Sequence, residues 1–227
     1  MPVTKLKKFF TQFPERKFRK LEDLIPIDEP VDHIFFLTKG YVRQYTVSPA
    51  GDEFNLNIFK PNSFFPLNLA LHQKKNPYYF SAFTQGKYRA APVKKVVDFL
   101  QQDPKLLFDL TKRLTSGING LLLRMESIAF GNAEQRVAST LYLLYLRFGV
   151  LNSKENKKVC PENQQKHKVI QLNFTHQELA FFSGLTRETV SGVMANLREK
   201  GVINYQSQLI CVVMPEKLKD LSSLPIY

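Results

Sequence analysis

Residues 175–201 read THQELAFFSGLTRETVSGVMANLREKG, and this stretch decides the fold. Thr175 followed three residues later by Glu178 is the signature of a capping box that opens a helix. Leu179, Ala180 and Phe182 give that helix an apolar side, and Ala180 is small enough for a second helix to come close. Gly184 supplies a turn, after which Thr186 and Thr189 begin the next helix. Val190, Val193, Met194 and Leu197 recur at i, i+3, i+4 and i+7, the buried stripe of an amphipathic helix. Gly201 closes it as a left-handed cap. Two short helices joined by a tight turn, the second with a polar outer face, have the layout of a helix-turn-helix.

That outer face carries Arg187, Glu188 and Ser191, with Asn196 or Arg198 further along. In this motif the first turn of the second helix reaches base edges in the major groove. Arg187 has the fork that matches guanine O6 and N7, and Glu188 can accept from a cytosine N4 amine. Phosphate repels a carboxylate, so a Glu beside Arg187 favours base reading over simple electrostatic attachment. Thr175, His176, Gln177, Thr186 and Thr189 lie near the helix N-termini, where backbone phosphates are held. After Gly201, Val202–Tyr205 and Leu209–Val213 read as two strands around a Gln206-Ser207 turn, the shape of a wing. The alternative is a small helical domain in which Arg187 and Glu188 are simply a solvated pair.

Upstream, the chain is helical and then β. Asp103-Pro104 is a helix start, with Asp as N-cap and Pro at the first helical position. Leu107, Leu110, Leu114, Gly117 and Leu121, followed by Arg124 or Met125, then alternate at three and four. This is the seam of a two-stranded coiled coil, so the spacing predicts a dimerisation helix. A helix packed only on its own domain is the other reading. Asn132 with Gln135 forms a second capping box, opening a helix through Phe148. Residues 152–167 are polar and read as a loop, and Val169–Leu172 as a short strand. From 18 to 95 the texture is short strands and turns. His33–Leu37 is apolar, Tyr41–Val47 alternates, Ser48–Asp52 is a hairpin turn, and Glu53–Phe59 alternates again, which suggests a small sandwich or barrel. Residues 1–20 read as a basic helix or arm docked by Phe9, Phe10, Phe13 and Phe18.

Composition narrows the function less than the motif does. The chain has 227 residues, 44% hydrophobic, with 19 Phe and 9 Tyr, so it can build proper cores. Its net charge of +12 favours an anionic partner. The charge is misplaced for a simple electrostatic argument, however. Residues 1–149 hold 22 Lys/Arg against 13 Asp/Glu, whereas residues 150–227 hold 10 against 7. Cys160 and Cys211 form no CxxC and share no ligand spacing with the histidines, so the sequence predicts no metal and no cofactor, and favours free thiols in a reducing cytoplasm over the alternative of a single disulfide. His33 and His72 lack companions at ligand spacing, and no nucleophile–base pair or phosphate loop is legible, so no enzyme is expected. Without a signal-like or membrane-length apolar run, the expectation is a cytoplasmic protein with no membrane partner.

Gly184–Ser191 (GLTRETVS) with the following LREKGVI resembles the recognition helix of the Crp–Fnr transcription regulators, the cyclic-AMP receptor protein and its relatives. Phe130–Ala138 (FGNAEQRVA) resembles the family's segment after the dimer helix. The resemblance implies an α+β chain with three parts: a cyclic-nucleotide-binding-type β-roll over residues 1–100, a long dimerisation helix and hinge over 101–149, and a winged helix-turn-helix over 150–227. It implies a homodimeric, sequence-specific DNA-binding transcription regulator on pseudo-palindromic double-stranded DNA, with RNA polymerase as a candidate partner. Relatives often carry an arginine four residues after Glu188, where this chain has Gly192. The cyclic-nucleotide binders use a Gly-Glu turn and an arginine, and neither Glu nor Arg lies in residues 62–67 or 76–82 here. Cyclic AMP is therefore not the expected effector. Phe64, Phe65, Tyr78, Tyr79, Phe80 and Phe83 are left as either barrel core or an apolar effector pocket. A cyclic-nucleotide-binding module acting through protein partners is the competing function.

Overall fold

The structure is a computed structural model that describes residues 2–72, 74–151, 159–160 and 167–222. The chain divides into two compact units, Met1–Thr115 and Ser116–Tyr227.

The first unit opens with α1 (Pro2–Phe10), whose Leu6 and Phe10 are buried while Lys5, Lys7 and Lys8 stay exposed. Strands β1 (Glu15–Phe18), β2 (Asp23–Ile25), β3 (His33–Lys39), β4 (Val42–Val47), β5 (Glu53–Phe59), β6 (Phe64–Phe65), β7 (Tyr79–Ala82) and β8 (Gly86–Pro92) follow. They form two antiparallel sheets in the orders β1-β8-β3-β6 and β2-β7-β4-β5. Consecutive β3 and β4 therefore belong to different sheets. The chain crosses between them at Gly40, where φ is +85° and a Cβ would lie 2.6 Å from the Gln85 carbonyl oxygen. Only glycine fits that corner. The β4–β5 hairpin turns at Ser48–Asp52 as expected, with Gly51 at φ +91°. Short α2 (Leu67–His72) and α3 (Val93–Gln101) complete the roll. Its interior is aromatic: Phe65 stacks on Phe59 at 4.5 Å and on Phe80 at 5.8 Å between ring centroids.

Helix α4 (Pro104–Phe130) begins where Asp103-Pro104 predicts. The Asp103 Oδ1 accepts from the backbone N–H groups of Lys105 and Leu106, both at 3.1 Å. Lys5 pairs with the same carboxylate, holding it below the ordinary carboxylate pKa through that hydrogen bond foremost. The expected seam needs correction. Leu110 is buried with Leu106 in the core of the first unit, because an i, i+4 pair is what that core takes from the helix. The stripe left exposed is Leu107, Leu114, Ile118, Leu121 and Met125, with Thr111 completing its spacing of four and three. Gly117 lies off this stripe, and a Cβ there would touch nothing within 4 Å.

The second unit takes the end of α4, then α5 (Ala133–Phe148), β9 (Gly149–Leu151), β10 (Lys168–Ile170), α6 (His176–Ser183), α7 (Arg187–Glu199), β11 (Ile203–Gln206), β12 (Leu209–Val212) and α8 (Pro215–Ser222). The sheet order is β11-β12-β10-β9. The Asn132–Gln135 capping box opens α5 as the sequence predicts. Val137, Ala138 and Leu141 are fully buried, and the helix packs on α6, α7, α8 and β10. It is thus part of the C-terminal core, although the sequence grouped it with the hinge. Nothing in the sequence reading anticipated α8.

The expectation of free cysteines is overturned: Cys160 and Cys211 form a disulfide across 51 residues, with Cα atoms 5.5 Å apart. Antiparallel pairing sets Cys211 of β12 against Val169 of β10, and the disulfide places Cys160 beside the same strands. Most of the polar segment 152–167 lies outside the described residues. Its Val159, Cys160 and His167 are buried, which a solvated loop would not do.

Candidate nucleic-acid interface

The helix-turn-helix is built by caps. The Glu178 N–H donates to Thr175 Oγ1 at 3.1 Å, and the Thr175 N–H donates to Glu178 Oε2 at 2.6 Å, closing the box at the start of α6. Gly184 ends that helix in the left-handed region, φ 62° and ψ 41°. Thr186 caps α7 by accepting from the Thr189 N–H at 3.2 Å. Val190, Met194 and Leu197 bury the inner stripe, with Val193 only partly covered. Arg187 and Glu188 are left exposed in the first turn of α7, and Gly192 is exposed one turn on.

Two arginines fix the turn from behind. Arg124, near the end of α4, donates to the Phe182 carbonyl from Nε at 3.1 Å and Nη2 at 2.9 Å. Arg136, on α5, donates to the carbonyls of Ser183 at 2.9 Å and Gly184 at 2.7 Å. The last carbonyls of α6 have no helical partner, and cations there also oppose the negative end of the helix dipole. Burial lowers the Arg124 guanidinium to about 10, so it keeps its charge at neutral pH. The sequence reading missed both clamps. The only signal was the position of Arg136 in the stretch FGNAEQRVA.

A cleft of about 630 Å³ opens between the start of α6, the start of α7 and the β11–β12 hairpin, with His176, Gln177, Arg187, Tyr205 and Ser207 among its walls. His176 Nδ1 lies 2.7 Å from Ser191 Oγ, and its ring meets Tyr205 edge-on at 5.6 Å. Burial, and then the charge of Arg187, pushes the His176 pKa below its ordinary value, so the imidazole is neutral at physiological pH. The Arg198 guanidinium covers the Tyr205 ring at 4.9 Å. The hairpin turns at Ser207 and Gln208, φ 50° and 71°, one residue later than the sequence suggested.

Of the candidate phosphate contacts, Gln177 and Thr186 are exposed, while Thr175, His176 and Thr189 are half-buried. The hydroxyls of Thr175, Thr186 and Thr189 are engaged in the caps. Ser191 is engaged with His176, which leaves its hydroxyl part of its hydrogen-bonding capacity for a base.

In the β-roll, Phe65, Phe80 and Phe83 are buried, and Phe64, Tyr78 and Tyr79 are partly covered. Tyr79 stacks on Tyr45 at 4.9 Å. Spacing had set the cysteines apart from the histidines, but in space His167 joins Cys160 and Cys211. Their ligand atoms lie within 4.8 Å of one another. Among the described residues, no helix is long and apolar enough to cross a membrane.

Comparison with known proteins agrees with this geometry. Residues 135–221 match the Crp-like helix-turn-helix domain, and residues 15–103 match the cyclic nucleotide-binding domain. The chain is 30% identical over 192 residues to the global nitrogen regulator of Nostoc sp., covering 84% of this chain and 81% of that protein. It is 27% identical over 215 residues to the transcriptional regulator SdrP of Thermus thermophilus, covering 93% and 96%. The fold is that of FixK2 from Bradyrhizobium japonicum, with a TM-score of 0.76 at 19% identity over 94% of this chain and 99% of that one. The chain belongs to the Crp–Fnr family of transcription regulators. It is a DNA-binding transcription regulator with a cyclic-nucleotide-binding-type roll, a long helix and a helix-turn-helix.

Proposed function

We propose that this chain works as a homodimer on a pseudo-palindromic duplex, with α7 in the major groove of each half-site. Arg187 and Glu188 read base edges, and Ser191 adds an acceptor. Gln177 and Thr186 take phosphates, helped by the α6 and α7 N-termini and the neighbouring Thr175, His176 and Thr189. The observation that carries this reading is the first turn of α7. It is capped by Thr186, follows a turn whose carbonyls Arg124 and Arg136 hold, and leaves Arg187 and Glu188 exposed. The exposed stripe of α4 supports a dimer, since Leu107, Leu114, Ile118, Leu121 and Met125 have the spacing of a coiled-coil face. The work is regulatory, not catalytic, and belongs in the cytoplasm, with RNA polymerase as a candidate partner.

The effector is not cyclic AMP in this reading. A phosphodiester buried in the roll needs a cation, and residues 62–67 and 76–82 offer none. The aromatic cluster suits either a packed core or an apolar ligand. Calorimetry with cyclic AMP and cyclic GMP tests this, and saturable micromolar binding would favour the cyclic-nucleotide module instead. For DNA, selection from a random duplex pool should return two-fold-related half-sites about one helical turn apart. At matched salt, Arg187→Ala should bind the selected site several-fold more weakly. Equal affinity would remove Arg187 from the base contacts.

A further inference from the structure

The second unit holds a cluster that neither DNA binding nor the sheet requires. Cys160, Cys211 and His167 are 4%, 0% and 6% exposed. Each offers a ligand atom, and the three atoms lie within 4.8 Å of one another. The cysteines are joined as a disulfide, which satisfies their own valence but does nothing for the histidine. Nδ1 of His167 is buried with no hydrogen-bond partner among the described residues. Among the described residues, the surroundings are Val159, Val169, Leu209 and Val213, all apolar. A polar nitrogen left unpaired in such a place costs folding free energy, and a disulfide alone gives no reason to keep one.

We propose that the reduced thiols of Cys160 and Cys211, with the imidazole of His167, bind one zinc-class divalent ion, and that the disulfide is the oxidised, metal-free form of this site. Two thiolates and one imidazole are ligands that zinc favours, and water can take the fourth tetrahedral position. Charge favours a divalent ion over a monovalent one. Two thiolates and a neutral imidazole cancel a charge of two, so the complex is neutral within its apolar walls. A cuprous ion would leave a net negative charge there. The exchange balances with a dithiol reductant. The dithiol gives two electrons and two protons to the Cys160–Cys211 bond, becomes a disulfide itself, and leaves two thiols. The metal ion then displaces those two protons as both sulfurs coordinate.

The placement gives the site a mechanical role. Cys211 lies on β12, which pairs with β11 to form the hairpin carrying Tyr205 and Ser207. His167 immediately precedes β10, the strand on the other side of β12. Either form therefore fastens the ends of the 160–167 segment to the sheet that carries the wing. Among the described residues, nothing but a metal would also satisfy His167. None of this depends on which bases α7 reads.

The test uses the full chain. It is reduced with a phosphine, desalted without oxygen, and titrated with cobalt(II) as a coloured stand-in, followed by zinc(II). Reduced protein should take up one cobalt per chain, showing a sulfur-to-cobalt charge-transfer band and the d–d absorption of a tetrahedral ion. Zinc should displace it, and the disulfide form should bind none. His167→Ala should weaken uptake beyond the roughly 10–100-fold that loss of a mere outer-shell partner costs. A reduced protein that takes no metal overturns the proposal, as does equal uptake by the disulfide form or wild-type affinity in His167→Ala. Circular dichroism of the reduced chain before metal is added separates uptake by a folded site from capture by an unfolded one, which would also count against it.

Discussion

Gly192 is the position where one substitution should change both stability and specificity by separable amounts. It lies inside α7, exposed, and a Cβ built on it meets nothing within 4 Å. Its backbone is helical, so no positive φ demands glycine. Gly192→Ala should therefore stabilise the helix by about 0.5–1 kcal/mol, the usual difference between the two residues in a helix interior. In a chain of this size each kcal/mol moves the melting temperature by roughly 2–4 °C. Differential scanning fluorimetry resolves that shift. The alanine adds no hydrogen bond, so its DNA affinity should stay close to that of the parent.

Gly192→Arg should share the gain in stability and add something else. The new side chain stands four residues after Glu188 on the exposed face, where it can pair with Glu188 in the free protein for about 0.2–0.5 kcal/mol. On DNA it can reach one further base. A bidentate contact to guanine discriminates by about 1–3 kcal/mol, roughly 5- to 150-fold in affinity. The assay is fluorescence anisotropy at fixed salt on the selected site, with each half-site position permuted through four bases. One position should become guanine-selective in the arginine variant, and none should in the alanine variant. If Gly192→Arg binds all permutations alike, α7 does not enter the groove by the face that carries Arg187 and Glu188. If Gly192→Ala destabilises the protein, the space around residue 192 is not open.

Three further outcomes follow from the geometry. Arg136→Ala leaves the Ser183 and Gly184 carbonyls without their donor, and should cost about 1–3 kcal/mol of unfolding free energy with a matching loss of DNA affinity; thermal melting and anisotropy measure both. His176 should titrate below the ordinary imidazole value in a two-dimensional NMR series, because burial and Arg187 disfavour its charged form. The sign follows: the folded state prefers neutral His176, so this contribution is present above the unfolded value of 6.5 and lost as pH falls below it. His176→Gln should then flatten the stability profile across that window. At the wing tip, Gln208 holds a left-handed φ of 71° that costs a non-glycine residue about 1–2 kcal/mol. Gln208→Gly should recover part of this in a urea melt.

Local chemistry was legible in the sequence and long-range assembly was not. Thr175–Glu178, Asn132–Gln135, Asp103 and Thr186 act as caps where their spacing said they would, because a cap is a contact made within four residues. Gly184 and Gly201 take left-handed backbones for the same local reason. The seam of α4 shows the limit. Leucines at 107, 110 and 114 fit either alternation, and only the demand of the roll for Leu106 and Leu110 chooses between them. The Cys160–His167–Cys211 cluster was invisible because its cysteines meet across 51 residues, a tertiary contact that spacing does not encode. The Arg124 clamp was hidden likewise, since a guanidinium aimed at a carbonyl 58 residues away leaves no pattern.

The two arginine clamps also bear on how α7 is aimed. The carbonyls they hold, at Phe182, Ser183 and Gly184, are the last of α6 and the turn itself. The donors come from the final turns of α4 and from α5, so three helices meet at the residues that set the angle between α6 and α7. A charged guanidinium partly withdrawn from water cannot slide freely along a row of carbonyls, because each lost hydrogen bond exposes an unpaired group on both sides. The turn that launches α7 is therefore tied by hydrogen bonds to the end of α4 and to α5. If the exposed stripe of α4 is the dimer seam, a rotation at that seam is delivered to Arg187 and Glu188 with little loss, and half-site spacing becomes a property of the coiled coil. Shortening the Arg124 side chain should then loosen the spacing that bound DNA tolerates more than it weakens binding at the best site, whereas removing Arg187 should do the reverse.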